Sequence, residues 1–117
     1  MGFLTTHVLD TASGCPADNV RIAIHRVFNN MTEHLLDVKT NEDGRSNEPI
    51  LKDDDFVVGT YQLNFYIGDY FKGKGMDLNA PNFLDVIPVR FGISLPEEHY
   101  HVPLLVSPFS YSTYRGS

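Results

Sequence analysis

The stretch VRIAIHRVF, residues 20–28, alternates apolar and polar side chains: Val20, Ile22 and Ile24 fall on one face, Arg21, Ala23 and His25 on the other. Successive side chains of an extended chain point to opposite sides, so a period of two describes a half-buried strand. TYQLNFYIGDYF, residues 60–71, repeats the pattern with Tyr61, Leu63, Phe65 and Ile67. Further strands are predicted over 3–10, 35–40, 86–94 and 98–107, with a last one near 109–115. Between them lie SGCPADN, NEDGRSNEP, FVVG, NAPN and SLPEE, which carry the Gly, Pro, Asn and Asp that turns require. Short strands and turns at these intervals predict an all-β protein, an antiparallel sandwich or barrel. One short helix is expected in DYFKGKG, residues 69–75, with Asp69 as N-cap and a glycine at its end.

Composition narrows the function. A chain of 117 residues has room for one domain, residues 1–117, with a core of its own. Its net charge of -6 repels phosphate backbones and anionic headgroups, so neither nucleic acid nor a membrane surface is an expected partner. No apolar run approaches the length of a membrane span, and strand-like sequence begins at residue 3, where a leader would stand. The single cysteine, Cys15, cannot close an intramolecular disulfide, and a cytoplasmic setting is the expectation.

Several polar residues occupy places that a core does not require. In the strand 3–10, Leu4, Thr6 and Val8 share one face while Phe3, Thr5, His7 and Leu9 share the other, so both faces are partly apolar. Such a strand packs on both sides, inside the fold or against another subunit, and His7 then sits in a partly enclosed place. EEHYHVPLLV puts His99 and His101 on one face of a strand. Two imidazoles at i and i+2 suit a metal, but no Cys pair or HExxH pattern supplies further ligands, and neither metal nor cofactor is expected. In NEDGR, Gly44 suits a left-handed turn position and launches Arg45 from a fixed point, where its fork of donors fits a planar substrate with adjacent oxygens. The stretch YSTYRGS has the hydrogen-bonding aromatics of a placed segment rather than of a frayed one.

The motifs LTTHVLD, DGR, GDYF, IPVRF and, above all, HYHVPLLVSPFSYSTYRGS resemble those of the 5-hydroxyisourate hydrolases, also called transthyretin-like proteins, over essentially the whole chain. The closing YRGS distinguishes these hydrolases from transthyretin, the hormone carrier of the same fold, in which lysine replaces the first-strand histidine and the tetrapeptide is lost. The resemblance implies a transthyretin-like antiparallel β-sandwich of seven or eight strands with one short helix. It also implies a homotetramer, a dimer of dimers, with active sites in a channel where the dimers meet. The implied reaction is the cofactor-free hydrolysis of 5-hydroxyisourate in urate breakdown. By match of motif, the catalytic residues implied are His7, Arg45, His101 and Ser117. Arg45, Tyr114, Arg115, Gly116 and Ser117 are implied to bind substrate. The alternative is a transthyretin-like carrier whose channel, lined by Phe3, Thr5 and Leu9, holds a hydrophobic ligand such as thyroid hormone.

Overall fold

The computed structural model describes residues 1–76 and 80–116. Among them nine strands form two sheets: β1 (Phe3–Asp10), β2 (Cys15–Pro16), β3 (Arg21–Phe28), β4 (Met31–Lys39), β5 (Leu51–Lys52), β6 (Gly59–Tyr66), β7 (Val86–Ile93), β8 (Tyr100–Val106) and β9 (Tyr111–Thr113), with one α-helix, α1 (Ile67–Gly73). One sheet runs β2-β1-β8-β9, with β5 also paired to β1, and the other runs β4-β3-β6-β7. The all-β sandwich with one short helix is the predicted fold.

The alternation read from the sequence is the one that builds the core. Ile22 and Ile24 of β3, Leu63 and Phe65 of β6, Ile87 of β7 and Leu4, Val8 and Leu104 of the facing sheet are buried together. Each such side chain contributes roughly 1.5–3 kcal/mol on leaving water.

Four features depart from the expectation. First, β4 begins at Met31 rather than at residue 35, because Asn29 and Asn30 both adopt positive φ (51° and 60°) and close a two-residue hairpin that pairs Phe28 with Met31. Second, Ile67 opens the helix instead of ending a strand; it is buried, as a strand residue there would also be. Third, Asp69 is not the N-cap. Tyr66 holds that position without a side-chain cap, and the first helical N–H groups, those of Ile67 and Gly68, donate to the Asp85 carbonyl (3.0 and 2.9 Å). Fourth, one pairing is parallel: β1 runs alongside β8 with Thr5 opposite His101 and His7 opposite Pro103.

That parallel pair is the frame of the site. On its inner face Leu4, Thr6, Val8 and Asp10 are buried, whereas Phe3, Thr5, His7 and Leu9 lie half-buried on the outer face. The edge of β1 away from β8 is taken at its two ends by β2 and β5. Between these the turn 41–45 docks, Val8 N–H donating to the Gly44 carbonyl at 2.8 Å.

At the inner end of β1, Asp10 is buried yet fully partnered. Its Oδ1 accepts from the N–H groups of Ala12 and Ser13, both at 3.0 Å, and its Oδ2 accepts from the Tyr70 hydroxyl at 2.9 Å. Burial pushes the Asp10 carboxyl up, but the bonds from Ser13, Tyr70 and Ala12 outweigh it and hold the group below its ordinary range. The same contact, after burial, raises the Tyr70 phenol. A carboxylate, a turn and a helix are thereby tied at one point.

Candidate active site

His7 and His101 reach the same outer face from adjacent strands, β1 and β8. Arg45 comes to them from the turn. Asn41 organises that turn, its Oδ1 accepting from the N–H groups of Asp43 (2.9 Å) and Arg45 (3.2 Å), while the Asn41 N–H donates to the Arg45 carbonyl (2.7 Å). Gly44 has φ 76° and is buried against β1. A Cβ there would collide with the Val8 carbonyl and press to 3.2 Å from Cδ2 of His7, so both conformation and space demand glycine. The turn therefore meets β1 at His7 and delivers the next side chain, Arg45, beside the imidazoles.

The electrostatics register that convergence. Burial, and next the Arg45 guanidinium, hold the His7 imidazole below its ordinary value of 6.5, against a main-chain hydrogen bond with Asp43 and the Asp43 carboxylate, which act in the opposite sense. His101 is also held below 6.5, by burial first, then by Arg45 and by His7. Two imidazoles that resist protonation beside a permanent cation are neutral near pH 7, the state in which a ring nitrogen can accept a proton. Arg45 is exposed and its side chain makes no ion pair among the described residues, so its donors remain open to a ligand.

The orientation of His101 is fixed from two sides. Its Nδ1 lies 2.8 Å from the Thr5 hydroxyl. Gly116 pairs with it in an isolated bridge, Gly116 N–H donating to the His101 carbonyl at 2.7 Å. A Cβ on Gly116 would lie 2.7 Å from Cδ2 of the imidazole, closer than side chains tolerate, so only glycine lets the tail lie along the ring.

The rest of the tail is engaged differently. Arg115 donates to Glu98 Oε1 (2.9 Å) and to the His99 carbonyl (3.2 Å), and its guanidinium stacks 4.0 Å from the centre of the Tyr100 ring. Tyr114 is exposed. Tyr114, Arg115 and Gly116 line an open hollow of about 600 Å³ with Glu98 and His99. Among the described residues, then, Gly116 touches the histidine site, whereas Arg115 clamps the tail to the β8 end of the sheet. Ser117 lies outside the described residues, as does Asn79 of the NAPN turn. His99 stacks on Phe3, ring centres 3.9 Å apart, at the rim of the outer face.

Among the described residues no group of three or more His, Cys, Asp or Glu side chains is placed to hold a metal ion. No helix among them is long and apolar enough to cross a membrane. Sequence reasoning did not single out Thr5 or Asp10 for these roles. Thr5 shares the outer face of β1 with His7, and its register opposite His101 is what gives that placement meaning.

Comparison with known proteins supplies a family. The model described as "HIUase/Transthyretin family" matches residues 4–116. A 5-hydroxyisourate hydrolase of Pseudomonas aeruginosa is 52% identical over 117 residues, covering 100% of this chain and 93% of that one. Among solved structures, 5-hydroxyisourate hydrolase of Klebsiella pneumoniae matches with a TM-score of 0.82 and 31% identity over 100% of both chains. The crystal structure of (S)-allantoin synthase matches with a TM-score of 0.93 and 53% identity over 99% of this chain, which spans 44% of the length of that one.

Proposed function

The chain belongs to the HIUase/Transthyretin family, and from that premise we propose that it is a hydrolase that opens the ring amide of 5-hydroxyisourate, giving 2-oxo-4-hydroxy-4-carboxy-5-ureidoimidazoline. The observation that carries this reading is the meeting of two neutral imidazoles with one free guanidinium on the outer face of the β1/β8 pair.

The reaction needs three services: a base for the attacking water, a counter-charge for the oxyanion, and a proton for the departing ring nitrogen. In the proposed sequence His7 takes a proton from water as its oxygen attacks the amide carbonyl, while His101 holds the water and relays the proton. Arg45 binds the substrate's oxygens and faces the negative charge that develops at the tetrahedral stage. The carbon–nitrogen bond then breaks, the proton taken from water passes to the departing nitrogen, and the former carbonyl carbon becomes a carboxylic acid that gives its remaining water-derived proton to solvent, ending as a carboxylate. Atoms balance with one water consumed, and no covalent intermediate is involved. Ser117, with Tyr114, Arg115 and Gly116, is assigned to orienting substrate; the clamp of Arg115 on Glu98 and Tyr100 supports a fixed tail, which lowers the ordering entropy on binding.

The site is open in the single chain, its outer face presenting half-buried Phe3, Leu9 and Leu105 beside the histidines. This supports a homotetramer, a dimer of dimers, in which another copy closes the site. A cytoplasmic location fits the one unpaired cysteine. Ultraviolet decay of freshly generated 5-hydroxyisourate, with and without the protein, tests the reading. Acceleration abolished by His101→Asn is the expected result, and decay at the spontaneous rate with the wild-type protein overturns it.

A further inference from the structure

The hydroxyls of Thr6, Thr11, Thr40 and Thr113 each donate to a main-chain carbonyl. That of Thr5 instead meets Nδ1 of His101 at 2.8 Å, across the parallel register that sets the two residues side by side. We propose that Thr5 is a positioning residue for the hydrolysis: its hydroxyl accepts from Nδ1–H of His101 and so makes Nε2 the nitrogen that meets water and substrate. The inference rests on the hydrolytic reading above.

The chemistry follows from the imidazole itself. A neutral ring has one N–H and one lone pair, and an acceptor at Nδ1 sends the lone pair to Nε2. When Nε2 then gains a proton, the cationic ring still donates from Nδ1 to the same oxygen, through a stronger, charge-assisted bond. The contact therefore survives the proton-transfer cycle without any side chain moving. Gly116 completes the restraint from the Cδ2 edge. A ring turned over about its Cβ–Cγ bond would present carbon to Thr5 and lose the bond, so the two contacts together select one orientation.

Two variants test this. Thr5→Val keeps the shape and β-branching but removes the hydroxyl; Thr5→Ser keeps the hydroxyl. Nitrogen-15 shifts of His101 report its tautomer without substrate, and kcat and KM report the reaction. The expected result is an Nδ1–H tautomer in the wild type, a mixed one in Thr5→Val with kcat lowered about tenfold and KM little changed, and recovery of both in Thr5→Ser; tenfold is the weight of one net hydrogen bond. An Nε2–H tautomer in the wild type overturns the proposal. So does a Thr5→Val protein whose tautomer and kcat are unchanged. Wild-type protein inactive on 5-hydroxyisourate would sink the hydrolytic reading instead, and the tautomer measurement would still decide what Thr5 does to His101.

Discussion

Gly44 lies so near His7 that a Cβ on it would come within 3.2 Å of the imidazole Cδ2, because the main chain at Gly44 is hydrogen-bonded to Val8, the residue after His7. Arg45 is thus set beside an imidazole by backbone geometry, with no side-chain bond of its own needed to hold it there.

Its charge should be visible in pH dependence. Burial and Arg45 lower both imidazoles from 6.5, so the acid limb of kcat/KM is expected below 6.5. Arg45→Gln should move both histidine titrations upward, with His101 still short of 6.5, since burial is its larger cause. Proton NMR titration of the imidazole resonances checks this, and titration at or above 6.5 in the wild type would contradict it. Stability carries the same sign. The unfolded chain binds protons at these histidines more readily than the folded one, so stability should fall as pH drops from about 6.5 toward the folded values and be unaffected above that window.

Arg45→Lys keeps the charge and loses the fork. A single ammonium cannot span adjacent substrate oxygens, and kcat/KM is expected to drop on the order of 10²-fold. Steady-state kinetics decides; near-normal values would rule out a forked contact.

Gly116→Ala places a methyl where the His101 ring edge already is, 2.7 Å away. The tail or the imidazole must shift, and kcat should fall by roughly ten- to a hundredfold while circular dichroism stays that of the folded protein. Full activity would show that the tail does not set the ring.

Tyr70→Phe removes the hydroxyl that donates to Asp10 Oδ2. A buried carboxylate oxygen left without its partner should cost about 1–3 kcal/mol, seen as a lower Tm in calorimetry, with kcat at 25 °C unchanged because neither residue reaches the outer face. Asp10 titrates below its ordinary 3.8 when folded, so its contribution is present at neutral pH and is lost as pH falls through 3.8 toward the folded value.

β6 and, apart from Ala23, which is buried on the opposite face, β3 were legible because alternation is imposed by the core they line. β2 and β5 were not, since two residues carry no period. The first half of β4 was hidden because Met31, Thr32, Glu33 and His34 are all exposed, and only the double-asparagine turn marks where the strand begins. His7, Arg45 and His101 could be picked out as residues that a core does not need. Their meeting was implied by the family resemblance alone, because side-chain periodicity says which way a residue faces but not which strand lies beside it, or in which direction it runs. The Arg115 clamp was equally invisible: its partners Glu98 and Tyr100 become neighbours only when the tail folds back along β8.

The parallel join of β1 to β8 brings together residues 96 positions apart. Closing so large a loop has an entropy cost that local hairpins such as β3–β4 do not bear, and topologies dominated by distant pairings fold slowly. On the proposed mechanism, chemistry is therefore expected to be a late reporter of maturation: the hairpins can form while the imidazoles are still strangers, and turnover is expected only once the first strand and the eighth have zipped.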